Sequence, residues 1–187
     1  MTIRSLFAAF FLSLVALSLH AQVLSRAEVA LTYTYVHTNA PPSDCGCFSM
    51  NGGSASAALH LTHGLAAVGD FGVVHTGNVD STGLDLTLTS YLFGPRFTFH
   101  APLIPLVPFA QVLVGGVHAS GGLTLTNSGA AASNAFAATV GGGIDLKLTH
   151  HLTLRPIQAE YFVTKLPNGV NDHQNNLRIN SGIVIRF

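Results

Sequence analysis

The sequence predicts an all-β chain folded as an eight-stranded antiparallel up-and-down transmembrane β-barrel, and three observations predict it. First, charged residues are only 9% of 187 residues, against ~25% in soluble domains, and the mean hydropathy is +0.45. Second, beyond residue 21 no apolar run reaches the ~18–20 residues of a membrane helix. The densest stretch, Ala101–Val117, carries Pro102, Pro105 and Pro108, which would break a helix. Third, segment after segment alternates with period two, apolar on one side and polar or ionic on the other. Strands closed on themselves are the remaining way to satisfy backbone groups in lipid.

The N-terminus has its own signature. Arg4 precedes an apolar stretch from Leu6 to Leu19 and then His20-Ala21, the layout of a signal peptide cleaved after Ala21. Residues 1–21 are therefore expected to be removed, leaving 22–187 as one barrel domain. Removal takes Arg4 alone among the charges, so the mature chain has seven basic and eight acidic residues and a formal charge of −1. That balance, with no Lys/Arg run, argues against a nucleic-acid partner.

The elements follow in order. The first strand spans about 27–37, with Val29, Leu31, Tyr33 and Tyr35 outward and Glu28, Ala30, Thr32 and Thr34 inward. Residues 38–53, rich in Pro, Gly, Ser and Asn, read as a long loop. The second strand, about 54–63, sets Ala55, Ala57, Leu59 and Leu61 against Ser54, Ser56, His60 and Thr62, and Gly64 marks a tight turn. The third, about 65–76, places Phe71 and Val73 outward and Asp70 and Gly72 inward; 77–83 is a loop. In the fourth, about 84–97, Leu84, Leu86 and Leu88 are assigned outward, yet Phe93, Phe97 and Phe99 are outward with Arg96 inward. Those parities conflict, so a bulge is expected near Thr89–Ser90.

After a proline turn the fifth strand runs about 107–118 with Gln111 inward, and 119–133 is a third loop. The sixth, about 134–146, puts Phe136, Ala138, Val140, Ile144 and Leu146 outward and Asp145 inward. Gly141-Gly142-Gly143 is a strand feature, because no helix follows it. The seventh, about 152–164, brings both Arg155 and Glu160 inside only if Pro156 marks a bulge. After the loop at 166–174, the last strand alternates Leu177, Ile179, Ser181, Ile183, Ile185 and Phe187 with Asn176, Arg178, Asn180, Gly182, Val184 and Arg186. Long connections follow the odd strands and short ones the second and sixth, so both termini lie on the periplasmic side. A soluble lipocalin-like barrel also has eight strands, but it would need its charges on the outside.

Tyr91-Leu-Phe-Gly-Pro-Arg-Phe-Thr-Phe99, Pro108-Phe-Ala-Gln111, Phe136–Leu146, Leu154–Tyr161 and the closing Asn175–Phe187 strand, in that order, resemble the OmpA-type outer-membrane β-barrel domain family over essentially all of 27–187. The resemblance implies a barrel in the bacterial outer membrane, inserted from the periplasm, with lipid and lipopolysaccharide around it. It implies dealings with periplasmic chaperones and with an assembly machinery that reads the C-terminal aromatic, here Phe187. The chain stops at that residue, so the family's peptidoglycan-binding domain is not expected, and a monomer is.

Candidate chemistry is sparse. Glu28, Asp70, Arg96, Asp145, Arg155, Glu160, Arg178 and Arg186 all take inward parity, and buried charges must pair. Chain geometry suggests Arg186 with Glu28 across the closing seam, Asp145 with Arg155 across a turn, and Glu160 with Arg178 on adjacent strands. Such a network either pins a filled lumen or lines an ion path; an eight-stranded interior is just wide enough for its own side chains. His37, His75, His118 and His173 fall near the outer rim, and His63, His100, His150 and His151 near the periplasmic one. Rim histidines suit a membrane boundary, and when protonated they suit phosphate. Cys45 and Cys47 read as a loop disulfide or an inert pair rather than a metal site, which wants four ligands. Ser181 and His173 are too far apart along one strand for proton transfer, and no nucleophile elbow is present. No catalytic, metal or cofactor residue is therefore assigned. The expected role is structural and surface-interacting, with a narrow pore for small solutes as the alternative and a lipid-A-modifying enzyme behind it.

Overall fold

The computed structural model describes residues 27–40, 46–77, 85–99, 105–121, 132–166 and 173–187. The expected signal peptide, Cys45, Leu84, His100 and most of the long-loop residues lie outside them. Eight strands form a closed barrel in which each pairs with its sequence neighbours and the last with the first. They are β1 (Ala27–Ala40), β2 (Gly46–Thr62), β3 (Leu65–Thr76), β4 (Leu86–Thr98), β5 (Leu106–Ser120), β6 (Ala132–Lys147), β7 (Leu152–Thr164) and β8 (Gln174–Arg186). All pairs are antiparallel. Closure leaves no sheet edge among the eight strands.

The ladder also fixes the tilt. Val29 pairs with Ala57, Ala57 with Gly69, Gly69 with Phe93, Phe93 with Val114, Val114 with Ala138, Ala138 with Val163, Val163 with Asn175, and Asn175 with Asn39. One circuit thus returns to β1 ten residues further along. With eight strands this stagger corresponds to strands inclined by roughly 40° to the axis.

The outward parity holds from strand to strand. Leu31, Tyr33, Phe71, Tyr91, Phe93, Val112, Val114, Phe136, Val140, Ile157, Tyr161, Leu177 and Ile183 are all exposed on the outer wall. Among the described residues no Asp, Glu, Lys or Arg takes an outward position within any strand. The bulge expected at Pro156 is present. The β7–β8 register slips between Arg155 and Gln158, Pro156 and Ile157 are both exposed, and Arg155 and Glu160 both turn inward. A further irregularity, not foreseen, lies between His60 and Thr62. It precedes the His63-Gly64 turn, where Gly64 takes the positive φ of 89° that only glycine adopts readily.

Three expectations are corrected. Leu86 and Leu88 point into the barrel, 7% and 4% exposed, and β4 pairs with β3 without a slip from Leu86 to Phe97, so there is no bulge at Thr89–Ser90. Leucine suits a dry interior as well as lipid, and the parity set by Arg96 runs unbroken through the strand. The long loop at 38–53 is mostly strand: β1 continues to Ala40 and β2 begins at Gly46. There Phe48 and Met50 alternate into the core among glycines, serines and an asparagine, a composition that hides a strand. Lastly, the inside is not polar throughout. Val36, Phe48, Met50, Val74, Leu86, Leu88, Leu92, Leu113, Val117 and Phe162 form an apolar tier in the half of the lumen toward the long connections.

Candidate functional site

The opposite half of the lumen holds the charges. Inward parity places Glu28 on β1, Asp70 on β3, Arg96 on β4, Asp145 on β6, Arg155 and Glu160 on β7, and Arg178 and Arg186 on β8. All but Arg186 are buried. Four carboxylates meet four guanidinium groups, so the set is electrically balanced.

Contacts join all eight into one chain. Arg178 Nη1 donates to Asp70 Oδ1 (2.9 Å) and Arg178 Nε to Glu160 Oε2 (2.6 Å). Gln111 then bridges: its Nε2 donates to Glu160 Oε1 (2.7 Å) while its Oε1 accepts from Arg96 Nε (2.8 Å). Arg96 Nη1 lies 3.8 Å from Glu28 Oε2, and Arg186 Nε lies 2.8 Å from Glu28 Oε1, an ion pair without hydrogen-bond alignment. Arg186 Nη2 stands 3.7 Å from Asp145 Oδ2. Asp145 in turn accepts a bidentate pair from Arg155, Nε to Oδ1 at 2.7 Å and Nη2 to Oδ2 at 3.0 Å. Arg155 Nη1 donates to Gln158 Oε1 (3.0 Å).

The three pairings suggested by chain geometry are thus in contact. The links from Asp70 to Arg178 and from Gln111 to Glu160 join strands that are not ladder neighbours, so sequence reasoning missed them; Arg96 and Gln111 are ladder partners. Gln111 had the right parity to be noticed; Gln158 was hidden by the bulge before it. His60 on β2 completes the ring with Nε2 3.7 Å from Glu28 Oε1, so every strand contributes. Asn180 Nδ2 donates to Glu160 Oε2 (3.3 Å) and its Oδ1 accepts from Thr34 (2.8 Å).

Phe109 was also missed. Its ring faces the lumen between two guanidinium groups, with Arg96 Cζ 4.6 Å and Arg155 Cζ 4.4 Å from the centroid. Ring faces attract cations, by up to ~2 kcal/mol where water is excluded, so Phe109 separates two like charges that would otherwise repel. The glycine run on β6 makes this possible: a Cβ at Gly143 would lie 2.9 Å from Phe109 Cζ and 2.6 Å from the Ile157 carbonyl oxygen.

A bidentate guanidinium–carboxylate pair such as Arg155–Asp145 tolerates burial that an isolated charge cannot, while Arg96 Nη2, Arg178 Nη2 and Arg186 Nε are buried without a hydrogen-bond partner. Chemically the arrangement holds no nucleophile beside a base. Ser181 Oγ donates to the Arg155 carbonyl oxygen (3.3 Å) on the outward side of β8, with His173 at the far end of that strand. Among the described residues no three His, Cys, Asp or Glu side chains are grouped to hold a metal ion. Cys47 at the start of β2 is disulfide-bonded, while Cys45 lies outside the described residues. Phe187 is exposed on the outer wall, its backbone nitrogen donating to the Ala27 carbonyl oxygen (2.9 Å) at the seam.

No family model matches the sequence, and no curated protein matches it. Solved structures do match the fold. Neisserial surface protein A superposes with a TM-score of 0.63 at 16% identity, covering 86% of this chain and 97% of that one. Ail, the attachment invasion locus protein of Yersinia pestis, gives 0.59 at 13% identity over 87% and 99%. The outer membrane protein OprG from Pseudomonas aeruginosa gives 0.55 at 11% identity over 87% and 96%. At such identities the likeness is one of fold, and the fold is the eight-stranded barrel of bacterial outer-membrane proteins.

Proposed function

We propose that the chain is a non-catalytic, monomeric barrel of the bacterial outer membrane, OmpA-like in its barrel, with a structural and surface-interacting role: envelope integrity, adhesion or surface antigenicity. The reading includes export by the signal peptide at residues 1–21, delivery by periplasmic chaperones, and insertion by the assembly machinery with Phe187 as its signal. It takes outer-membrane lipid and lipopolysaccharide as the standing partners. The observation that carries it is an outer wall whose strands, among the described residues, carry no ionic side chain, around a lumen that holds the buried charges. A soluble barrel would reverse that placement of charge. The fold likeness to Neisserial surface protein A and Ail supports it without supplying a ligand.

A narrow pore is the second reading, favoured by one observation: the ionic half of the lumen opens toward the Glu28–Arg186 mouth, where Arg186 is partly exposed. Against it, the apolar tier closes the other half, with Met50, Leu113 and Val117 at 0% exposure. Planar-bilayer recordings on purified protein separate the two. The structural reading expects no steady single-channel conductance; a stable open level that persists across preparations would replace it with the pore. Lipid A from expressing cells is expected to keep its mass spectrum, and a protein-dependent change in acyl or phosphate content would establish an enzyme instead.

A further inference from the structure

We propose that His37, His75 and His118, together with Lys165, form a girdle that binds the phosphorylated head group of the outer-leaflet glycolipid, lipid A, when the imidazoles are protonated. The inference rests on the membrane reading above, with the long connections facing outward, and adds to it a ligand and a pH condition.

The three histidines occupy outward positions on β1, β3 and β5, and the stagger of the barrel brings them level. A climb of ten residues in eight strands means that equal height on every second strand lies two to three residues below the register partner. His75 pairs with Asn51, which pairs with Tyr35, two residues below His37. His118 pairs with Thr89, which pairs with Val73, two below His75. Lys165 continues the slope onto the next upward strand. Its backbone nitrogen donates to the Phe136 carbonyl oxygen (3.0 Å), and Phe136 pairs with Gly116, two below His118. The Lys165 ammonium lies 5.9 Å from the Phe136 ring centroid. Neighbouring members are two strand spacings apart, about 10 Å, so a phosphate can meet one or two of them.

The height is the upper limit of the apolar wall. Below it the outward positions are Tyr33, Val73, Tyr91 and Val114; at it they are Ser49, Asn51, Thr87, Thr89, Asn134 and Asn175, neutral donors suited to phosphate oxygens. Each ring is oriented by the strand beside it. His37 Nδ1 shares a 3.3 Å hydrogen bond with Ser49 Oγ, His75 Nδ1 one of 3.0 Å with Thr87 Oγ1, and His118 Nδ1 one of 2.8 Å with Asn134 Oδ1. An amide oxygen only accepts, so His118 Nδ1 donates to it and Nε2 is left as an acceptor. Among the described residues Nε2 of each of the three has no partner. The other titratable groups near the girdle are few. Tyr33 and Tyr35 lie below His37, Asp85 sits two residues before Thr87 on the His75 side, and His173 precedes Gln174, the ladder partner of Thr164. With neutral imidazoles the girdle offers one cation; with all three charged it offers four. Histidine makes that change between about pH 5 and 8.

The test uses the full barrel folded in zwitterionic micelles and titrated with bisphosphorylated lipid A, then with the same lipid dephosphorylated. Insertion into phosphatidylcholine vesicles, read as a heat-modifiable gel shift, is measured in parallel, so failure of the membrane reading shows itself separately. Binding of the phosphorylated lipid is expected to be about tenfold tighter near pH 5.5 than near pH 8, from three exposed charge pairs. The triple variant His37→Gln, His75→Gln, His118→Gln should lose that difference while keeping the residual affinity; His118→Gln alone should lose part of it. Dephosphorylated lipid A should show none. Equal affinity at the two pH values, or a pH dependence kept by the triple variant or by the dephosphorylated lipid, would overturn the proposal.

Discussion

Arg178 shows what a buried charge demands of its surroundings. It is fully enclosed, and its two carboxylate partners, Glu160 and Asp70, come from β7 and β3 on different sides of the lumen. Truncating it would leave both carboxylates without their counter-charge in a water-poor interior, so Arg178→Ala is expected to cost about 3–5 kcal/mol. Replacing Arg178, Glu160 and Asp70 together by apolar residues of similar volume should cost less than that single change. Urea unfolding in lipid vesicles reads both, and a loss below ~1 kcal/mol for Arg178→Ala would mean that the pair is solvated. The sequence shows the residues of this site but not all of its wiring. Period-two parity assigns each charge to the lumen, and hairpin or seam adjacency names the partners of Arg186, Arg155 and Glu160. The Asp70–Arg178 contact spans 108 residues of sequence and strands that share no ladder. Only the closed curvature brings them together, and no local pattern records it.

On the scale of single elements, β7 depends on one extra residue. Pro156 and Ile157 both face outward, which lets Arg155 reach Asp145 and Glu160 reach Arg178 from the same strand. Deleting Pro156 should therefore turn one of those groups into the wall's lipid side, since a one-residue slip reverses every side chain beyond it. The expected outcome is loss of the heat-modifiable folded band, whereas Pro156→Ala, which keeps the count, should retain it. On β6, Gly143→Val would drive a branched side chain toward the Phe109 ring and the Ile157 carbonyl; a destabilisation of about 1–3 kcal/mol is expected from overpacking, measurable by the same urea titration. β7 was legible because its two inward charges conflict in parity and a proline lies between them. The upper part of β4 was not, because Leu86 and Leu88 carry no sign of which apolar medium they face. Phe48 and Met50 were concealed for a related reason: two apolar residues among Gly, Ser and Asn resemble a loop until their pairing with Thr38 and Val36 is seen.

At the scale of the whole molecule, two apolar media meet one wall. Exposed apolar residues cover the outside, and inside, an apolar cluster together with the buried Thr38, Thr164, Gln174 and Asn176 occupies the half of the lumen toward the long connections, above a charge-balanced network to which all eight strands contribute. Eight strands with a stagger of ten leave an interior about wide enough for its own side chains. The eight-strand order, the outward band and the membership of the ionic set all follow from alternation. The division of the lumen into an apolar and an ionic half does not, because alternation tells inside from outside and is silent about height.

The central claim is that the wall without ionic side chains is the surface that lipid covers. A series of single arginine substitutions on outward positions, with unfolding free energies measured in phosphatidylcholine vesicles, tests it most directly. Val112→Arg and Ala55→Arg, midway down the wall, should each lose about 2–4 kcal/mol, while Asn175→Arg at the rim should lose ~0–1 kcal/mol. A flat profile with depth, near zero at Val112 and Ala55, would contradict the account.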